Sequence, residues 1–451
     1  MIQLKKCLLT LALLLSAAVL FAQSTESQVD IEETKSESLK YNLTVDDAVD
    51  LAIEGNLSLK QSQLSLDQAK READNSWNSL IPSIRGSASY SNDLSSSSTG
   101  QSISVGASAN FSLTPSIYTS IQNALLSYQQ QEITYDEAKR TVELSVRKAY
   151  YSLLYQKSYI SLLESEVTSS RTQYNTNQRK YNAGALARLD VLSAQYAYQN
   201  AQTSLASQQN AYTNSLNSFK QILGLPVDAE VTLEGSLDAF LTVGDISLEG
   251  LEIKSNNVKS LEKQLEMADM NLLATRFSAY GPSLSAGITY TYSGSNRAGD
   301  GSFDWGSGGP SLSVSASIPL DGFLPWSSGS QSVQNQKENI ENLNLQLENA
   351  KQNQLMDIQN YLSQIELEKS NISLRQKSIT IAQQTYSLSL DAYNKGTKDI
   401  IALQSAQNDL LSAKVNLQLE AYNMAVALLN LEDAAGLDYG TLEKAQNSET
   451  K

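Results

Sequence analysis

The chain has 451 residues, with 33 Lys and Arg against 48 Asp and Glu, a formal charge of −15, no histidine and one cysteine, Cys7. So acidic a surface repels phosphate backbones, whose binding depends on Lys and Arg displacing counterions, and nucleic acid is not an expected partner. Lacking imidazole and any Cys beyond position 7, the chain has no means to build His or Cys zinc sites, disulfides or an imidazole general base, and its Asp, Glu, Lys and Ser residues form no catalytic pair or metal-spaced cluster. No enzyme activity and no cofactor are expected. Apolar residues make up 41% of the chain, low for a compact globule, so much of it is expected to be elongated or lined by solvent.

Residues 1–22 read as a secretory signal peptide: Lys5 and Lys6 precede an apolar run from Cys7 to Ala22 that ends in small residues, with cleavage near Ala22 or Gln23. Cleavage there leaves a mature chain without cysteine. Residues 23–43, polar and acidic as at Glu32, Glu33 and Glu37, read as a flexible tether. No later apolar stretch is long enough for a membrane helix, so an exported chain of this kind stays in water or spans as β-strands.

Next comes a helix over 44–80, then a hairpin over 83–113. Its second strand alternates cleanly: Ile103, Val105, Ala107, Ala109, Phe111 and Leu113 point one way, Ser104, Gly106, Ser108, Asn110 and Ser112 the other. From 119 to 183 Pro and Gly are absent, and apolar residues at alternating steps of four and three predict one long helix on a 3.5-residue period. Gly184 supplies the reversal into a returning helix over 185–223, and 225–249 reads as a linker. The order then repeats: a helix over 251–279, a hairpin over 283–320, a long helix over 330–395, a turn at Gly396, a returning helix over 397–435 and a tail over 437–451. In this second long helix Ile358, Ile365, Ile372, Ile379, Tyr386 and Tyr393 recur every seven residues.

Two matched landmarks identify 44–224 and 250–436 as internal repeats. Ile81-Pro82-Ser83-Ile84 resembles Gly281-Pro282-Ser283-Leu284, and Tyr181-Asn182-Ala183-Gly184 resembles Tyr393-Asn394-Lys395-Gly396. Each hairpin strand offers five or six apolar side chains on one face and Ser, Gly, Thr or Asn on the other, which fits a bilayer crossing beside a wet lumen. Tyr90, Phe111, Tyr280, Tyr290, Tyr292, Phe303, Trp305, Phe323 and Trp326 lie at or near strand ends, where aromatic girdles sit. Four strands cannot close around water, so several chains must contribute, and periodicity does not choose between a dimer and a trimer.

With these residues in hand, the chain resembles the outer membrane efflux proteins of the TolC family. The strongest match lies in the segments that begin Tyr181-Asn-Ala-Gly and Tyr393-Asn-Lys-Gly, and the similarity covers 44–437. That resemblance implies a mainly α chain with membrane β-strands: a homotrimer whose strands form one transmembrane β-barrel, continued by a coiled-coil helical barrel with a belt from 225–249 and the tail. It implies a passive exit duct in the outer membrane of a diderm bacterium, with a long periplasmic extension, serving efflux or type I secretion. Its partners would be a periplasmic adaptor and an inner-membrane RND or ABC pump. The turns at Gly184 and Gly396 would meet the adaptor. A periplasmic gate would fall on Asp190, Tyr393 and Lys398, with Lys in place of the family Arg, so the charge is kept and bidentate geometry lost. The positions of an acidic ring found in some members hold Ala402 and Ser405, with Asp399 out of register. The rival reading is a non-channel periplasmic coiled-coil adaptor or structural spacer.

Overall fold

The structure, a computed structural model, describes residues 40–92, 101–246, 255–296, 304–306 and 308–442. The signal peptide, most of the tether, the serine-rich loop, Phe303 and the end of the tail lie outside the described residues. The chain divides into two units, a small one to which Lys40, Tyr41 and 228–230 belong, and a large one comprising Asn42–Val227 and Val231–Lys451. In the small unit Lys40 Nζ meets Glu230 Oε2 at 2.9 Å.

Strand β1 (Lys40–Leu43) occupies the end of the expected tether and pairs with β4 (Glu230–Leu233), which lies in the expected linker. The first expected helix, 44–80, is broken. Helix α1 (Val45–Gly55) begins at a capping box in which Thr44 N donates to Asp47 Oδ2 at 3.0 Å and Asp47 N donates to Thr44 Oγ1 at 3.3 Å. It ends because Asn56 turns to extended backbone and serves as the cap of α2 (Leu57–Asp74), accepting from Ser58 N at 2.9 Å and Leu59 N at 3.1 Å. Gly55 is required at this break, since a Cβ there would sit 2.3 Å from the Leu223 carbonyl oxygen. A short 3₁₀ turn, Ser76–Leu80, follows.

Strands β2 (Ser83–Asn92), β3 (Gln101–Leu113), β5 (Ser283–Asn296) and β7 (Gly309–Ser317) form one antiparallel sheet in the order β2-β3-β5-β7, with the two-residue β6 (Asp304–Trp305) also paired to β5. Register carries the two-residue alternation across all four strands. Ile84, Ala109, Ile288 and Leu312 stand in one row, and Phe111, Ala286 and Val314 in another. On the opposite face the serines bond across strands: Ser89 to Ser104, Ser91 to Ser102, Ser283 to Ser317 and Ser285 to Ser315, each pair at 2.7 Å between hydroxyl oxygens. Both edge strands, β2 and β7, are exposed along their whole length.

Helices α3 (Ser116–Asn182) and α6 (Ser328–Asn394) have 67 residues each, and α4 (Arg188–Leu223) and α7 (Ile400–Ala435) have 36 each. At 1.5 Å per residue each long helix runs roughly 100 Å. Between β4 and β5 lies α5 (Asn256–Tyr280). Gly184 and Gly396 adopt φ of +76° and +72°, which lets Ala185 N bond Lys180 O at 2.8 Å and Thr397 N bond Ala392 O at 2.9 Å. Those left-handed glycines end the long helices and turn the chain back.

Helix α3 packs against α4, and α6 against α7. The heptad series in α6 is the inner seam of that second pair, with Ile358, Ile365 and Ile372 buried. Buried side chains gather in the middle of α3 (Val146, Tyr150, Leu153) and in the C-terminal half of α7 (Ala421, Met424, Leu428, Leu431), two helices in contact, with Phe219 and Leu223 from α4 also buried. Tyr150 meets Phe219 edge-on at 6.2 Å between ring centroids. Its hydroxyl lies between the carbonyls of Leu43 and Glu234, and burial pushes its pKa up to about 12. Residues 437–442 fold back on α7, where the buried Glu432 carboxylate accepts from Gly440 N at 2.9 Å and Leu442 N at 2.8 Å.

Candidate functional site

Two regions stand out as candidate sites: the two-faced sheet and the cluster at the turns ending α3 and α6. In the second, Tyr393 is the last inward residue of the α6 seam and packs with Ile400, Leu403, Tyr386 and Leu390. Its hydroxyl donates to Oδ1 of Asn177 at 2.9 Å. Asn177 is 0% exposed, so the partners of its amide matter. Gln173 Nε2 donates to the same Oδ1 at 2.9 Å, and Asn177 Nδ2 donates to the Asp190 carbonyl at 3.4 Å. Burial raises the Tyr393 pKa, the Asn177 bond opposes that rise and the nearby Asp190 charge adds to it. Lys180 Nζ sits 5.5 Å from the Tyr393 ring centroid, within cation–π range.

Of the residues singled out in the sequence, Tyr393 through its hydroxyl and Asp190 through its main-chain carbonyl both reach Asn177. Lys398 is exposed and makes no ion pair among the described residues, with Asp190 or any other acid. Asp399 caps α7, its Oδ1 accepting from Ala402 N at 2.8 Å. Gly184 and Gly396 stand at the two turns, each with open space around the position of a Cβ. Further bonds tie the helix pairs together near this end: Gln404 Nε2 donates to the Ser193 carbonyl at 3.1 Å and Gln407 Nε2 to Glu166 Oε1 at 2.7 Å.

Asn177 escaped the reading of the sequence, although it left a trace. It lies three residues after Tyr174 and four before Tyr181, at a stop on the seam of α3 held by a polar residue, as Glu132, Lys139, Gln156 and Ser170 hold others. Glu368 left the same trace, three residues beyond Ile365 on the α6 seam. It is buried beside Glu420, which accepts from Arg375 Nε at 3.1 Å. Burial raises the Glu368 pKa, the Asn371 amide opposes the rise, and Glu420 adds to it. Among the described residues no cluster of acidic side chains could hold a metal ion, and no helix is long and apolar enough to cross a membrane.

A family model for outer membrane efflux proteins matches residues 48–225 and 251–437. The chain belongs to the outer membrane efflux protein family. It is 23% identical over 408 residues to the outer membrane protein TolC of Escherichia coli K12, a match covering 84% of this chain and 80% of that one. It is 21% identical over 250 residues to the toluene efflux pump outer membrane protein TtgC of Pseudomonas putida, covering 52% and 51%. Among solved structures, the Campylobacter jejuni CmeC outer membrane channel superposes with a TM-score of 0.70 at 18% identity over 90% of this chain and 89% of that one. The open state of the Neisseria gonorrhoeae MtrE outer membrane channel gives 0.67 at 19% identity over 87% and 89%. Membership makes this an outer membrane exit duct for efflux, with a long periplasmic helical part, and not an enzyme. The spacer and adaptor readings fall with that result.

Proposed function

We propose that the duct is a homotrimer in which β2 of one copy pairs with β7 of the next, closing twelve strands around water. The observation that carries this reading is the sheet itself. Its apolar face is exposed in a single chain, with Ile84, Tyr90, Ile288, Leu312 and Val314 all open, while the other face is a ladder of serines. Water on both sides would leave that apolar face unsatisfied. Lipid on one side and a wet lumen on the other satisfies both. Trp77, Leu320, Phe323 and Trp326, all exposed, lie just outside the strands on the helix side, where an interfacial belt belongs.

The helices support the same assembly. Beside its buried seam α6 carries a second stripe on a seven-residue period, Leu367, Leu374, Ile381 and Leu388, whose side chains are 58%, 57%, 64% and 70% exposed. A sustained heptad of large apolar residues marks a second coiled-coil partner, supplied here by a neighbouring copy. Equal lengths of α3 and α6, and of α4 and α7, support descent of 44–224 and 250–436 from one repeat, so that three chains supply six similar helix pairs to one tunnel. Segment 225–249 and the tail after Leu437 form the belt around it. The turns at Gly184 and Gly396 dock a periplasmic adaptor, which couples the duct to an RND or ABC pump. Asp190, Tyr393 and Lys398 act at the tip, with Lys398 reaching an acid on a neighbouring copy.

Membrane fractionation followed by unheated gel electrophoresis tests the reading. A heat-dissociable oligomer in the outer membrane fraction is expected. Recovery of the mature chain as a monomer in the detergent-free periplasmic extract would contradict it.

A further inference from the structure

The strands are almost free of charge, which makes the exceptions informative. Register places Arg85 on the serine face, in one row with Ser108, Thr289 and Ser311. Its guanidinium is exposed and has no hydrogen bond or ion pair among the described residues. Asp304, paired with Ser295, is the other charged residue on that face among the described strands. Ser295 shares a row with Ser102 and Ser91, six residues along β2 from Arg85, so the two charges stand about 20 Å apart along the strand direction at ~3.3 Å per residue. Arg85 lies near the helix end of the sheet, Asp304 near the loop end.

Among the described residues of one copy no partner gives this guanidinium a role in stabilising the fold, and Ser would continue the ladder at the same place. We infer that Arg85 is a specificity-determining residue of the duct: three copies form a cationic ring at the inner mouth of the β-barrel that favours anionic solutes and retards cations. The inference rests on the trimeric duct proposed above. A ring of three fixed charges raises the local concentration of anions in a low-dielectric-walled passage, and the effect weakens as mobile salt screens it. The Debye length is about 30 Å at 0.01 M ionic strength, about 10 Å at 0.1 M and about 3 Å at 1 M, so the ring acts across a wide lumen in dilute salt and only close to the wall in concentrated salt.

Reversal potentials of single channels in planar bilayers, under a KCl gradient, read this directly. Arg85→Ser is expected to raise the ratio of K⁺ to Cl⁻ permeability about two- to fivefold near 0.01 M salt, with the change vanishing near 1 M as screening requires. Arg85→Glu shifts the ratio further the same way, and Arg85→Lys restores the native value. Unheated gels confirm that each variant assembles as the native chain does. Channels whose ion preference is the same in the native, Ser and Glu forms would overturn the role of Arg85 and leave the duct reading standing. Absence of channels from the correctly folded native protein would overturn both.

Discussion

Tyr393→Phe isolates one bond in the tie between the two helix pairs. The substitution keeps the ring in its cluster with Ile400 and Leu403 and removes only the hydroxyl that reaches Asn177 Oδ1 at 2.9 Å. Asn177 keeps its bonds with Gln173 and the Asp190 carbonyl, so the loss is one neutral hydrogen bond at a buried site, worth about 1–1.5 kcal/mol. Separation of the helix pairs at this end becomes easier by that amount, and at ~1.4 kcal/mol per factor of ten the ratio of open to closed tips rises roughly tenfold. Single-channel recordings in planar bilayers measure the ratio as open probability. Tyr393→Ala adds loss of a packed aromatic, on the order of 3–5 kcal/mol, and should open the tip far more. An unchanged open probability in Tyr393→Phe would refute the tie as a determinant of closure.

Lys398→Ala, and reversal of charge in Asp190→Lys, should each raise single-channel conductance. A surface ion pair is worth about 0–1 kcal/mol, small enough for adaptor docking to overcome, and unchanged conductance in both variants removes them from the gate. Glu368 has a raised pKa in the folded chain, through burial first and Glu420 second, with Arg375 facing Glu420 and Asn371 facing Glu368 itself. Its contribution to stability is therefore full below the ordinary carboxylate range and is lost as pH rises through the folded value. Glu368→Gln should melt at higher temperature than the native protein at pH 7, with the gap closing toward pH 4 in circular dichroism; an equal gap at both values would count against the assignment. Leu374→Glu with Ile381→Glu should abolish the heat-dissociable oligomer while leaving the helical content of the single chain intact, because both side chains point away from its own core.

The periodic elements were legible because their physics is local. Seven-residue spacing from Ile358 to Tyr393 specifies a seam whichever partner fills it, and alternation from Ile103 to Leu113 specifies a two-faced strand before its neighbours are known. What escaped depends on contacts distant in sequence. The break at Gly55 and Asn56 is imposed by close approach of the Leu223 carbonyl, and the Asn56 amide also donates to the Ile222 carbonyl at 2.9 Å. Strand β1 exists because β4 lies alongside it nearly two hundred residues later, and Lys40-Tyr41-Asn42-Leu43 is too short a run to give a sign of that. At the tip, Tyr393 and Asp190 could be picked out singly, but the amide of Asn177 between them is set by how the ends of α3, α4 and α6 come together. Lys398 could also be picked out singly, and it pairs with no acid of its own copy among the described residues.

The proposed duct needs three chains to complete a barrel that one chain cannot close. Native mass spectrometry of the protein extracted from outer membranes counts them directly. Three copies per complex, held together when the detergent is stripped in the gas phase, is the expected result. A monomer or a dimer as the sole species from the native membrane would contradict it.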